Sequence, residues 1–179
     1  MKDKIYYNNN GARLSEQKKY DEAEQNFKLA FELDPKDYLV PYNIGFMLLK
    51  KGDKEEFARW FDVAFYNVPA DAGNLKGTLA LDCGLACFEA GLYNEALKYY
   101  DIAFFCGESS AEYWNRVGVL SFVTEKYEKA KECFEKAVSL EPDHADALFN
   151  LSDTYDELGL SEKASETRVK YSALSGEAK

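Results

Sequence analysis

Residues 111–144 read AEYWNRVGVLSFVTEKYEKAKECFEKAVSLEPDH. In the second half of this stretch Tyr127, Ala130, Phe134, Ala137 and Val138 recur at three- and four-residue steps, the spacing of one helical face and not of a strand. The first half sets Trp114, Val117, Gly118 and Ser121 on one face. Pro142 has no amide hydrogen to donate, so it stops the second helix. The stretch is therefore two helices joined by a short polar turn.

The same pattern extends in both directions. Gly118 is preceded by Gly84, Gly45 and Gly11 and followed by Ser152, at a spacing of 34 residues except for 39 between Gly45 and Gly84. Twelve positions on stand Ala23, Phe57, Ala96, Ala130 and Ala164; four further on stand Phe27, Phe61, Tyr100 and Phe134, with Arg168 breaking the run. A second small series, Ala30, Ala64, Ala103 and Ala137, ends at Tyr171, and Pro35, Pro69 and Pro142 close three of the units. A fixed period of this length means one helical pair stacked repeatedly, each pair burying its apolar face against the next. Small residues at Gly118 and Ala130 let the two helices of a pair approach, and Phe134 and Trp114 fill the space between successive pairs. Gly52, Gly91 and Gly159 fall in the turns between halves, where a left-handed residue ends a helix.

Several positions recurring in phase carry a strong resemblance to the tetratricopeptide repeat, whose signature sets W-x2-L-G-x2-Y, A-x3-F and P on a helix–turn–helix unit. Trp114, Val117, Gly118, Ser121, Ala130, Phe134, Ala137 and Pro142 match it best. The resemblance implies an all-α, right-handed α-solenoid of about five helix–turn–helix units, ten helices, forming a single domain over residues 1–179. The units fall at about 4–37, 38–71, 77–110, 111–144 and 145–179. Departures from the pattern mark irregularities. Phe57 stands where a small residue is expected, so that helix pair splays or shifts register onto Ala58. Five extra residues, Ala72 to Lys76, follow the second unit; alternatively Gly73-Asn74 begins a longer helix. Glu108 replaces the third unit's proline. Residues 161–178 are polar, as suits a terminal solvating cap, and the tail after Leu174 is expected to fray.

Composition narrows the partner. With 22 basic against 32 acidic residues the net charge is −10, which repels phosphate backbones and anionic lipid and leaves a basic or apolar polypeptide as the expected partner. The first residues carry no apolar leader and no run is long enough to span a membrane, so a cytoplasmic protein with reduced thiols is expected.

In the family that this chain resembles, the first helices line a concave groove. Carried over by phase, the groove positions are Asn8, Ala12 and Ser15; Tyr42, Phe46 and Leu49; Leu81, Leu85 and Phe88; Asn115, Val119 and Phe122; and Phe149, Asp153 and Asp156. The central units are apolar there, and their side chains are not required by the inter-helix core. Together they exceed the roughly 300–600 Å² patch that monomers usually expose. They suit an apolar helix or extended peptide of another protein; alternatively the chain's own tail or a second copy covers them, as in a homodimer. The candidate ligand groove is Tyr42, Phe46, Leu49, Leu81, Leu85, Phe88, Asn115, Arg116, Val119, Phe122 and Phe149. A carboxylate clamp of the kind that some relatives use is rejected: Asn43 and Arg116 are in clamp-like phase, but Tyr42, Leu81 and Asn115 sit where lysines are needed and Asp82 adds a negative charge. Asn43 and Asn150 read as inter-helix hydrogen-bonding residues, and Arg116 as a solvated cation. The acidic end, Asp146, Asp153, Asp156 and Glu157, either meets a basic flank of the ligand or is a solvated cap.

Catalytic chemistry is not indicated. The lone His144 lies in a turn beside Asp143 and Asp146. Cys83 and Cys87 are one helical turn apart without a second pair, and read as buried apolar thiols. No phosphate loop, nucleophile elbow or zinc-protease motif occurs, so no enzyme, cofactor or metal is expected. The reading is a non-catalytic adaptor, scaffold or chaperone-like module. Its alternatives are a self-associating scaffold, using the same patch or the helix of Trp60, Phe65 and Tyr66, and a relative of the small acidic secretion chaperones, which usually carry three repeats.

Overall fold

The computed structural model describes residues 2–53 and 56–176. These residues form ten α-helices and no strand: α1 (Lys4–Glu16), α2 (Tyr20–Leu33), α3 (Leu39–Lys51), α4 (Phe57–Asn67), α5 (Leu75–Glu89), α6 (Tyr93–Phe105), α7 (Ala111–Val123), α8 (Tyr127–Leu140), α9 (Ala145–Glu157) and α10 (Ser161–Ser175). The expected all-α fold of paired helices is what forms. The chain divides into two compact units, Met1–Leu79 with Glu89–Gly91, and Ala80–Phe88 with Leu92–Lys179.

In both units the repeat glycine is matched to the repeat aromatic. A Cβ built on Gly11 would lie 2.7 Å from the Phe27 ring; on Gly45, 2.3 Å from Phe61; on Gly84, 2.3 Å from Tyr100; on Gly118, 2.6 Å from Phe134. Non-bonded carbons sit comfortably at about 3.5–4.0 Å. The glycines are thus small because an aromatic ring of the paired helix lies flat against them, which corrects the expectation that the two backbones themselves require the space. Phe27, Phe61, Tyr100 and Phe134 are all at most 1% exposed, and Phe134 also packs in one cluster with Leu151, Tyr155 and Ala164 of the next pair, the inter-unit role expected of it. Trp114 packs against Ala111, Ala137 and Ala147, the last of these from the next pair, as its inter-unit role requires.

The turn inside each pair has one geometry. In α3–α4, Gly52 takes φ 84° and its amide donates to Leu49 O at 3.0 Å, while the Asp53 amide donates to Leu48 O at 3.0 Å. This double bond closes the helix end. The same two bonds recur with Lys18 (φ 61°) in α1–α2 and with Glu125 (φ 58°) in α7–α8, where no glycine marks the turn. Asp34, Val68 and Glu141, which precede the three prolines, leave the helical region and end α2, α4 and α8, because the proline ring crowds a helical residue before it.

Phe57 does not shift its pair. Gly45 meets the Phe61 ring as closely as any other repeat glycine meets its aromatic. Phe57 is itself 1% exposed and packs edge-on to Phe61, with centroids 5.8 Å apart; Ala58 stays half-buried. After α4 the chain turns through Pro69–Ala72, Gly73 (φ 61°) and Asn74, and α5 begins at Leu75, so of the extra residues Leu75 and Lys76 join the helix while Ala72 to Asn74 form the turn. In the third unit Glu108 is buried, its carboxylate accepting from the Ser110 amide at 3.0 Å, and so it orders the connection that lacks proline. At the far end α10 runs to Ser175, with Gly176 left-handed; the expected fraying concerns residues that lie mostly outside those described.

Candidate functional site

The face predicted to bind is built from the first helices, and each compact unit presents its own part. In the first unit Asn8 and Ser15 of α1 are buried and Ala12 half-buried. On α3, Tyr42, Phe46 and Leu49 are half-buried. Tyr42 and Phe46 lie 4.8 Å apart and both touch Phe61, at 6.0 and 5.3 Å between centroids. Both rings therefore belong in part to the core, which corrects the idea of a stripe unneeded by the core.

The second unit presents α7 and α9, with Leu81, Leu85 and Phe88 of α5. Leu81 is 6% and Asn115 7% exposed, so neither offers a ligand much surface. Leu85, Phe88, Val119 and Phe122 remain half-exposed. Val119 and Phe122 pack on the core group of Ala130, Phe134, Leu151, Tyr155 and Ala164. Phe88 and Phe122 are each backed by the tyrosine that opens the following helix, Tyr93 at 5.6 Å and Tyr127 at 5.3 Å. Val119, Phe122 and Phe134 line a small cleft of about 50 Å³ with Asn150 and Asp153 at its edge. Phe149 stands to the side, 47% exposed, against Tyr171 at 5.5 Å.

Polar residues on this face are mostly committed. Asn43 Nδ2 donates to Asn8 Oδ1 at 3.0 Å, and Asn150 Nδ2 donates to Asn115 Oδ1 at 3.1 Å. The two bonds are equivalent in the repeat and tie neighbouring first helices together, as expected for Asn43 and Asn150. Arg116 is not the solvated cation expected. Its side chain is 18% exposed and pairs with Glu112 at 2.5 Å and Asp82 at 3.4 Å; it also donates to Leu81 O. Burial opposes its charge, but the bonds to Glu112 and Asp82 outweigh burial and raise its pKa. The residue fastens α7 to α5 rather than reading a ligand.

Arg168, which breaks the aromatic run, has a structural role. It donates to Asp156 at 2.8 Å and Asp153 at 3.3 Å, so half of the predicted acidic end is already paired within the chain, while Asp146 and Glu157 stay exposed. A cation in aromatic phase, opposite two acids in groove phase, was the signal available in the sequence. His144 caps α9, its Nδ1 accepting from the Ala147 amide at 3.3 Å, with Nε2 3.4 Å from Glu112. Cys83, Cys87 and Cys133 are buried. Burial pushes the Cys83 thiol far up, the Cys87 thiol up to about 12 and the Cys133 thiol up to about 11, as in apolar surroundings. Among the described residues no three His, Cys, Asp or Glu side chains are grouped to hold a metal, and no helix is long and apolar enough to cross a membrane.

Tetratricopeptide repeat models match residues 6–37, 111–144 and 133–164. No curated protein matches the chain. Among solved structures, a MamA fragment from Desulfovibrio magneticus RS-1 superposes with a TM-score of 0.74 at 21% identity, over 99% of this chain and 98% of that one. YrrB, described as a tetratricopeptide repeat protein with an unusual peptide-binding site, superposes at 0.68 with 24% identity, over 98% and 88%. PilF of Pseudomonas aeruginosa superposes at 0.70 with 16% identity, over 96% and 76%. At these identities the likeness is one of fold.

Proposed function

We propose that this chain, a tetratricopeptide repeat protein, is a non-catalytic adaptor or chaperone-like module of the cytoplasm that binds an apolar segment of another protein on its first-helix face. The fold belongs to a family of protein-interaction scaffolds. The observation that carries the reading is the row of half-exposed apolar side chains on those helices: Tyr42, Phe46 and Leu49 in one unit, and Leu85, Phe88, Val119 and Phe122 in the other. Phe46, Phe88, Val119 and Phe122 are held from behind by packing, which lowers the entropic cost of receiving a ligand. A helix or extended strand presenting apolar residues on one side fits such a face. The peptide-binding site described for YrrB supports the reading by analogy of fold. The acids left exposed at Asp146 and Glu157 favour a ligand with a basic flank over an acidic one.

The test is affinity capture from lysate with wild type beside Leu85→Glu. Leu85 is half-exposed, so the charge weakens ligand binding while helicity by circular dichroism is retained. An unchanged set of captured proteins with a folded variant refutes the groove assignment. A second reading, self-association, is favoured by Tyr66 and Phe105, 89% and 88% exposed; a mass that rises with protein concentration distinguishes it.

A further inference from the structure

The first-helix face uses Asn150 and Asp153 of α9. At 3.6 residues per turn, Leu148, Leu151 and Tyr155 fall on the opposite side of that helix. There α8, α9 and α10 enclose a second cleft, about 380 Å³ in volume. Its floor is Leu148, Leu151 and Tyr155, respectively 1%, 4% and 6% exposed, with Val138 of α8 and Thr167 of α10 as walls.

The same place occurs in the first unit, where it is narrower. A shift of 107 residues, the one that carries Gly11 to Gly118 and Phe27 to Phe134, brings α2, α3 and α4 onto α8, α9 and α10. It matches Ile44 to Leu151, Leu48 to Tyr155, Phe31 to Val138 and Trp60 to Thr167. The earlier cleft measures about 140 Å³ and is lined by Ile44, Leu48 and Trp60, with the Trp60 indole edge-on to Phe31 at 5.4 Å. One fold, at one register, thus holds an indole in the first unit and leaves open space over a threonine in the second. Thr167 is only 7% exposed, and it offers the cleft a side chain far smaller than the indole that stands at the same register in the first unit. A threonine hydroxyl on the wall of such a cleft can accept a hydrogen bond from an indole N–H. The rim charges balance: Glu135 accepts from the Tyr155 hydroxyl at 2.8 Å, Lys163 stands 5.5 Å over the same ring, and Glu166 and Lys170 flank the opening.

We propose that this cleft is a docking pocket for a tryptophan side chain of a partner protein, carried on a segment of low net charge. A second copy of this chain is a poor donor, because both of its tryptophans are used within the fold: Trp60 on Phe31, and Trp114 between Phe104 and Tyr113. The pocket lies apart from the first-helix face, so the two bind independently.

The test uses isotope-labelled full-length protein and two short neutral peptides, acetyl-Gly-Trp-Gly-amide and its alanine counterpart. The tryptophan peptide shifts the amide resonances of Val138, Leu151 and Thr167 and the alanine peptide does not. Thr167→Trp fills the pocket, weakens the peptide at least tenfold and raises the thermal midpoint. Thr167→Ala, which keeps the fold, removes the hydroxyl and weakens the peptide several-fold. Absence of shifts at these residues, equal shifts with the alanine peptide, or unchanged binding in folded Thr167→Trp overturns the proposal. So does a mass that rises with concentration while the same resonances shift without peptide, because the occupant is then a second copy.

Discussion

Replacing Gly45 by alanine sets two effects of opposite sign against each other. Gly45 lies inside α3, where alanine is worth about 1 kcal/mol more than glycine in helix propensity, so propensity alone predicts a stabler protein. The structure predicts the reverse. The new Cβ would stand 2.3 Å from Phe61 Cε1 and 2.4 Å from Cδ1, against about 3.5 Å for a relaxed contact; the ring must retreat by about 1.2 Å (3.5 less 2.3). It has nowhere to go. Phe61 is fully buried and is hemmed in by Tyr42, Phe46, Phe57 and Phe65, with centroids 5.3 to 6.5 Å away. Overpacking of this kind costs about 1–3 kcal/mol and, in so confined a site, the upper part of that range. After the propensity gain the net loss is about 1–2 kcal/mol, or about 3–6 °C in thermal midpoint for a chain of this length. Thermal unfolding followed by circular dichroism and by tryptophan fluorescence reads it. Gly11→Ala, with its nearest ring atom at 2.7 Å, loses less, and Phe61→Leu in the Gly45→Ala background recovers part of the loss as a coupling between the two sites. A rise in midpoint for Gly45→Ala refutes the ring-on-glycine account of the repeat.

Other outcomes follow from the same coordinates. Glu125 holds φ 58° in the α7–α8 turn, a conformation that costs a side chain about 1–2 kcal/mol and glycine little, so Glu125→Gly raises the thermal midpoint by about 2–4 °C; Lys18→Gly acts likewise. Cys83 and Cys87 stay unmodified by a thiol reagent at mildly alkaline pH while the part-exposed Cys106 reacts, and all four react after denaturation. Because the folded state holds the Cys87 and Cys133 thiols up to about 12 and about 11 from 9.0, the folded protein keeps protons that the unfolded chain releases. Stability is complete below pH about 9 and declines above it, at up to about 1.4 kcal/mol per pH unit per thiol, until the folded thiols ionise as well. A denaturation midpoint flat from pH 8 to 11, or labelling of Cys83 and Cys87 in the native protein, contradicts their burial.

What the amino-acid sequence determined by itself is whatever depends on spacing along one chain. Apolar residues at steps of three and four specify helices, and a period of 34 requires that those helices pair and that each pair be built alike. Prolines and turn glycines mark the ends through backbone sterics alone, and the burial of Cys83 and Cys87 follows from their phase. The tertiary structure decided the partners. Gly118 and Phe134 are 16 residues apart, and only the folded pair shows the ring of one lying against the other. Phe57 breaks the pattern of residue sizes, yet the folded pair keeps register, with Gly45 against Phe61 and Phe57 edge-on to the same ring. Arg116 and Arg168 are long and flexible, so where their guanidinium groups settle depends on acids brought near from other turns and helices: Glu112 and Asp82 for one, Asp153 and Asp156 for the other. Lys18 and Glu125 adopt the left-handed turn without glycine because the helices on either side impose it. The contrast between Trp60 and Thr167 is present in the letters, but it becomes a narrow cleft and a wide one only when three helices come together around each position.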